Sequence, residues 1–244
     1  MSPKLFELQS GALFVSDAHY SAQRPKLLEL LKKILSGEIL ATQVILMGDI
    51  CDLLFGGISL TYKRNRDLIE LINAISKKMQ VLYLEGNHDF LLKRYFPNIQ
   101  IVPLQKQPLH VRYKNSDILL AHGDFGSELK YRIYTSMIRS RLLLSFLGFV
   151  DLVSFHSIIH WLDGYLTQKD DCKEIVDFEA LIKRRLDENK LLKYDALIEG
   201  HFHQNRSFSF GNFHYTNLGA FACNERFFVV KSGHEALVLE ELFL

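Results

Sequence analysis

Five short polar clusters, each placed directly behind an apolar run of strand length, constrain this chain more than any other feature. They are Asp17-Ala18-His19 behind Ala12–Ser16, Gly48-Asp49-Ile50-Cys51-Asp52 behind Val44–Met47, Gly86-Asn87-His88-Asp89 behind Gln80–Leu84, His122-Gly123-Asp124 behind Asp117–Ala121, and Gly200-His201-Phe202-His203 behind Ala196–Glu199. In open α/β sheets, ligands bind beyond the carboxyl ends of the strands, so clusters at five such ends converge on one crevice. A lone DxH or HxH is common in turns. The ordered set is what carries weight.

Between the clusters, amphipathic helical patterns at 25–36 (PKLLELLKKILS) and Asn65–Lys78 alternate with the strands. That alternation predicts a layered α/β domain. From Leu109 the pattern changes. Strands Leu109–Tyr113 and Asp117–Ala121 flank the turn Lys114-Asn115-Ser116, and a stretch from about 127 to 193 reads as helix nearly throughout. Short strands resume at Ala196–Glu199, Ser207–Phe210, Phe213–Asn217, Phe227–Lys231 and Ala236–Leu239. The helical block is expected to be an insertion over the sheet, within a single domain spanning 1–244. With 244 residues, 48% of them apolar, the chain can bury one substantial core, since single domains reach about 250 residues.

The charges nearly cancel, 29 basic against 28 acidic, so no global field points to nucleic acid. Nor is any obligate protein partner evident. Met1–Ser10 lacks the apolar run of an export signal. The run Leu142–Val150, bracketed by Arg141 and Asp151, falls short of the about 20 residues a spanning helix needs. A soluble cytoplasmic protein is expected, or one lying on the inner face of the cytoplasmic membrane. Cys51, Cys172 and Cys223 form no CxxC pair and are expected to be reduced structural thiols.

Carboxylate, imidazole and amide oxygen without thiol suit hard or borderline dications such as Mn²⁺, Fe²⁺ or Zn²⁺. Two such ions need a bridging group, and a carboxylate can offer one oxygen to each. Such a pair acidifies a water and neutralises phosphoryl charge. Glycines at 48, 86, 123 and 200 fit tight turns and close backbone approach.

The order DxH, GDxxD, GNHD, HGD, GHxH, spanning residues 17 to 203, resembles the calcineurin-like metallophosphoesterase signature, with all five blocks present. The resemblance implies a four-layer αββα sandwich of two mixed β-sheets with a helical lid. It assigns one metal ion to Asp17, His19, Asp49 and His203, and the other to Asp49, Asn87, His122 and His201, with Asp49 as the bridge. His88 would contact the substrate phosphate, together with Asn87, or protonate the leaving oxygen; Asp89 would orient it from behind. Asp52 and Asp124 are open between a turn or capping role and a place in the site. The remaining histidines, 110, 156, 160, 214 and 234, match no motif.

The segments GDICDLLFGG and GNHDFLLKRYF, with the helical block after HGD, are similar to the UDP-2,3-diacylglucosamine pyrophosphohydrolases of lipid A synthesis. That family usually has arginine where this chain has His88 and glutamate where it has Asp52. The resemblance implies cleavage of an acylated UDP-sugar, with two divalent ions, Mn²⁺ first among them. Other expectations stay open: a cyclic-nucleotide phosphodiesterase or phosphoprotein phosphatase on the same site, or a metal-free binding scaffold. Leu142–Val150 and Leu152, Val153, Phe155, Ile158, Ile159, Trp161 and Leu162 carry much apolar surface, preceded by Lys130, Arg132, Arg139 and Arg141. Cations beside an apolar helix suit a phosphorylated acylated ligand or an anionic membrane surface, and a lid packed on the body would read the same way. Arg139, Arg141, Lys169 and Lys173 are the candidate substrate contacts.

Overall fold

Strand side chains alternate between faces, and here both faces of each sheet are apolar. The computed structural model describes residues 5–125, 135–166 and 171–244. One six-stranded sheet has the order β14 (Leu239–Phe243), β13 (Arg226–Val230), β2 (Ala12–Val15), β3 (Gln43–Leu46), β5 (Gln80–Leu84) and β7 (Gln100–Val102). The other, also six-stranded, has the order β1 (Phe6–Glu7), β8 (Leu109–Tyr113), β9 (Ser116–Ala121), β10 (Ala196–Glu199), β12 (Phe213–Asn217) and β11 (Arg206–Phe210). Phe14, Ile45 and Leu82 of the first meet Val111, Ile118 and Ile198 of the second in one buried cluster, so the sheets pack face to face.

The alternate residues cover the outer faces. Leu13, Val44 and Tyr83 pack on α1 (Lys26–Ser36) and on α3 (Arg66–Ser76), which follows the short α2 (Ser59–Arg64). Helix α1 is set by Leu27, Leu30, Leu31 and Ile34, a buried stripe at helical spacing, and stops at Gly37 in the left-handed conformation. On the other side, Leu119, Leu197 and Tyr215 pack on α6 (Phe178–Glu188). The four layers are those the sequence resemblance implied.

Parallel pairing brings the strand ends to a common rim. Val15 lies opposite Leu46, Leu46 opposite Tyr83, and in the second sheet Ala121 opposite Glu199. All five polar clusters therefore leave the sheets side by side.

The expected helical block is not one unit. Helices α4 (Arg141–Val153) and α5 (Ser157–Leu166) meet at a bend of 100°. At this bend Phe155 and His156 take left-handed backbone angles, and the Asp151 carboxylate receives the Nδ1–H of His156 (2.7 Å) and the N–H of Ile159 (3.0 Å). Leu144 and Ile159 pack on Phe55, Ile58 and Phe90, which anchors this two-helix cap beside the rim. Among the described residues no single helix is long and apolar enough to cross a membrane. Helix α6 instead forms an outer layer of the sandwich. Residues 171–177 are not helical, because long-range contacts fix them: Arg24 pairs with Asp171 at 2.7 Å, and Cys172 is joined to Cys223. That disulfide corrects the expectation of three reduced thiols; only Cys51 is free, and it is buried. The last strand also lies later than expected. Short strands β4 (Leu54–Phe55) and β6 (Asp89–Phe90) pair in parallel between the core and the cap.

Candidate metal centre

Asp17, His19, Asp49, His201 and His203 all have positive φ. Residues other than glycine rarely adopt this conformation, at a cost of order 1–3 kcal/mol each, and it persists where surroundings over-determine it. Here the turns are laced together: Asp17 N–H donates to the Gly48 carbonyl (3.2 Å) and His19 N–H to that of Asp49 (2.9 Å). The motif glycines are required by proximity. A Cβ on Gly86 would lie 2.2 Å from Asp49 Oδ1, and one on Gly200 would lie 2.3 Å from Asp17 Oδ2.

The expected ligands form one contiguous cluster. His203 Nε2 lies 3.1 Å from Asp17 Oδ1. The His19 ring stands 5.4 Å from that of His203 and 4.9 Å from that of His88, between centroids. His88 Nε2 is 4.0 Å and His122 Nε2 3.4 Å from Asp49 Oδ2. Asn87 Oδ1 is 3.2 Å from His122 Nε2, and the rings of His122 and His201 are 5.0 Å apart. Among the described residues three groups have ligand atoms within 4.8 Å of one another: Asp17, His19 and His203; Asp49, His122 and His201; and His19, Asp52 and His88.

The outer contacts fix the tautomers. A carbonyl only accepts, so His122 donates Nδ1–H to Met47 (3.0 Å), His88 donates Nδ1–H to Asp52 (3.0 Å), and His203 does so to Asp171. His19 directs Nδ1 at the Asp52 carboxylate (3.1 Å). Each ring then presents Nε2, a lone pair, to the interior. Lone pairs of His203 and Asp17, and of His122 and both Asp49 and Asn87, face each other at close range. A proton on Nε2 or a cation between them makes that favourable. His19 Nε2 is buried with no hydrogen-bond partner among the described residues. Buried carboxylates and imidazoles without thiol, aimed inward from braced turns, fit divalent metal ions.

The electrostatics describe the same negative seat with a proton in the cation's place. Burial would raise the Asp17 carboxyl, but His203 draws it down to about 2. Burial likewise opposes ionisation of Asp49, yet His122 and His88 hold it well below the usual range. Burial disfavours a charged His122, and Asp49 outweighs it, leaving the imidazole raised well above its ordinary value. His201 is pushed down to about 3 by burial and then by His122.

Other expected residues sit elsewhere. Asp89 does not orient the His88 ring; that contact comes from Asp52. The Asp89 carboxylate accepts backbone N–H groups of Asp49 (3.1 Å), Ile50 (2.6 Å), Cys51 (3.3 Å) and Gly86 (2.9 Å), and the Tyr83 hydroxyl (2.6 Å). Consecutive N–H groups in a tight turn form a concave anion seat, and it captures this side chain. Arg139 is not a surface contact either. It is buried, donates to the Gly86 carbonyl at 2.9 Å and stacks its guanidinium over Phe90, tying the cap's base to the GNHD turn. Arg141 is exposed at the start of α4, and Lys173 is exposed beyond Cys172. Lys130, Arg132 and Lys169 lie outside the described residues. Asp124 is buried 3.8 Å from Arg139.

Two supports, Arg185 and Asp171, escaped the sequence, and a third, Asp52, was left open there between a capping role and a place in the site. Asp52 serves two histidines at once; its GDxxD spacing was the available signal. Arg185 joins Glu199 (2.6 Å) to the Gly123 carbonyl (2.7 Å), bracing the HGD turn. Asp171, in no motif, holds His203.

A centre built this way on two stacked mixed sheets defines a metallophosphoesterase, and the chain belongs to the Calcineurin-like phosphoesterase family, which it matches over residues 12–205. It is accordingly a phosphoesterase. Among curated relatives, it is 26% identical over 210 residues, 80% of each chain, to a UDP-2,3-diacylglucosamine hydrolase of Aromatoleum aromaticum. It is 31% identical to the protein of that name in Wigglesworthia glossinidia brevipalpis, over 47% of this chain and 46% of the other. Among solved structures it is similar to a dimetal phosphatase from Danio rerio, with 14% identity, 96% of each chain covered and a TM-score of 0.49.

Proposed function

We propose that this chain hydrolyses the pyrophosphate of UDP-2,3-diacylglucosamine, giving UMP and 2,3-diacylglucosamine 1-phosphate. One observation carries the substrate class. The cap that packs on Phe90, two residues from His88, leaves Leu142, Phe146, Phe149, Phe155 and Trp161 more than half exposed. Exposed apolar side chains gathered on one cap beside a polar crevice mark a binding face, and they suit acyl chains whose headgroup reaches the rim. The relatives' name for their substrate supports the same reading.

Asp17, His19, Asp49 and His203 would hold one divalent ion, and Asp49, Asn87, His122 and His201 the other, with Mn²⁺ the first candidate. When bound, such ions supply Lewis acidity toward phosphoryl oxygens and acidify the attacking water. Water attacks the phosphorus nearer uridine, and the bond to the bridging oxygen breaks. As an imidazolium, its Nδ1–H held by the Asp52 carbonyl, His88 would contact a phosphoryl oxygen through Nε2–H or deliver that proton to the leaving oxygen. Asn87 stands beside it. The cap holds the two acyl chains, with Arg141 toward solvent for the headgroups of an anionic membrane. A cytoplasmic enzyme resting on the inner face of the membrane follows from this reading.

The test is turnover of UDP-2,3-diacylglucosamine, cyclic AMP and a phosphopeptide by the full chain with Mn²⁺. Hydrolysis of the lipid alone supports the proposal. Turnover of only the other two replaces it with a phosphodiesterase or phosphatase on the same centre.

A further inference from the structure

The Cys172–Cys223 disulfide joins two backbone segments that each hold a residue of the same metal-binding group. On one side is Asp171, whose carbonyl takes the Nδ1–H of His203 and whose carboxylate pairs with Arg24. On the other is α7 (Phe221–Asn224), where Phe221 N–H donates to the Ser16 carbonyl (2.9 Å) and Ala222 N–H to that of Asp17 (3.2 Å). Cys223 Sγ lies 3.9 Å from the Asp171 carbonyl oxygen. The bridge therefore spans the outside of the Asp17–His203 pair. The Asp49 and His122 group is braced independently, by Asp89, Met47 and Arg185.

The bridge is also reachable. Cys172 is exposed and Cys223 half-buried, so a small dithiol can attack it. Cys51 is enclosed in the core, and burial raises its thiol well above the ordinary value, which keeps it out of exchange because the thiolate is the reactive form.

We propose that this disulfide is a redox latch on the Asp17, His19 and His203 half of the centre, closed when oxidised and slack when reduced; it rests on the reading of that cluster as a metal site. A dithiol passes two electrons and two protons to the bridge through a mixed disulfide. The Cys172–Cys223 bond breaks, two protein thiols form, and the reductant leaves as its own disulfide. The segment then keeps the Arg24 pair and the Gln204 contacts to Lys173 and Ile175, but loses its covalent link to α7. The Asp171 carbonyl, which sets the tautomer and ring angle of His203, is then held less firmly. Outer contacts of this kind are worth about 10–100-fold in metal affinity, so reduction weakens one ion and spares the other.

The experiment is a Mn²⁺ titration of the full chain, followed by calorimetry, in three states: oxidised, reduced with dithiothreitol and desalted anaerobically, and reoxidised. Alkylation of denatured protein counts the thiols, one when oxidised and three when reduced. The expected result is two sites when oxidised, an about tenfold or greater loss of affinity at one on reduction, and recovery on reoxidation. Cys172→Ser/Cys223→Ser should bind like the reduced chain and ignore dithiothreitol. Because reduction is done on folded wild type, a variant that fails to fold leaves the test intact. Unchanged binding at both sites after reduction, or three thiols after oxidation, overturns the latch alone. Oxidised protein that binds no Mn²⁺ overturns the metal centre and the latch with it.

Discussion

Asp89 holds Asp49 from behind: its Oδ1 receives the Asp49 backbone N–H at 3.1 Å, while Asp49 turns its own carboxylate toward His122. The two acids divide the work by environment. Burial and the charge of Asp49 push Asp89 up to about 7, and the Tyr83 hydroxyl and Gly86 N–H act against that rise.

Asp89→Ala would leave these donors buried without an acceptor. Each costs about 1–3 kcal/mol when unsatisfied, so the variant should lose about 3 kcal/mol or more. In a chain of this size that lowers Tm by about 6–12 °C. Circular dichroism melts check it; an unshifted midpoint would show that the seat is filled by something other than Asp89.

The strand ends and their polar residues were legible because they are local: an apolar run followed by Asp, Asn or His is written contiguously. Asp89 and Arg139 were misplaced for the opposite reason. Whether an acid in GNHD faces the histidine or the neighbouring turn depends on where Asp49 to Cys51 bring their N–H groups, and those lie about 40 residues away. Arg139 follows the same rule, since its acceptor is the Gly86 carbonyl. The pairing of Cys172 with Cys223 likewise depends on how residues 171–177 cross to α7, which spacing does not encode.

Asp49→Ala should abolish turnover, because it removes the carboxylate proposed to touch both ions. Elemental analysis after Mn²⁺ loading should show the protein retaining at most one ion. Wild-type activity in this variant would refute the bridging assignment.

His88→Ala is expected to behave differently. Its Nε2 stands 4.0 Å from Asp49 Oδ2 and its Nδ1 is tied to Asp52, so it is proposed to act on substrate rather than hold metal. Metal content should be unchanged, with kcat lowered about 10²-fold, the scale of general-acid or charge-stabilising groups. Loss of metal alongside activity would move His88 into the ligand set.

Arg139→Ala separates a strut from a substrate contact. The guanidinium bonds the Gly86 carbonyl and stacks on Phe90 inside the protein. Its removal should lower Tm by several degrees, from about 1.5–3 kcal/mol for a charge-assisted bond, and leave KM nearly unchanged. A raised KM at constant Tm would return Arg139 to the substrate.

The cap offers the clearest distinction between surface packing and ligand binding. Phe146 and Trp161 are 63% and 68% exposed, so polar replacements there should alter stability by no more than about 0.5 kcal/mol. If these rings receive acyl chains, each stabilises the bound lipid by about 1–2 kcal/mol. Phe146→Ser/Trp161→Ser should then raise KM for UDP-2,3-diacylglucosamine by about tenfold or more, measured in mixed micelles. Hydrolysis of a small soluble diester such as bis(p-nitrophenyl) phosphate should continue at the wild-type rate, because the candidate metal ligands sit on the sheet rim and not on the cap. Equal losses on both substrates would mean that the cap merely shapes the rim.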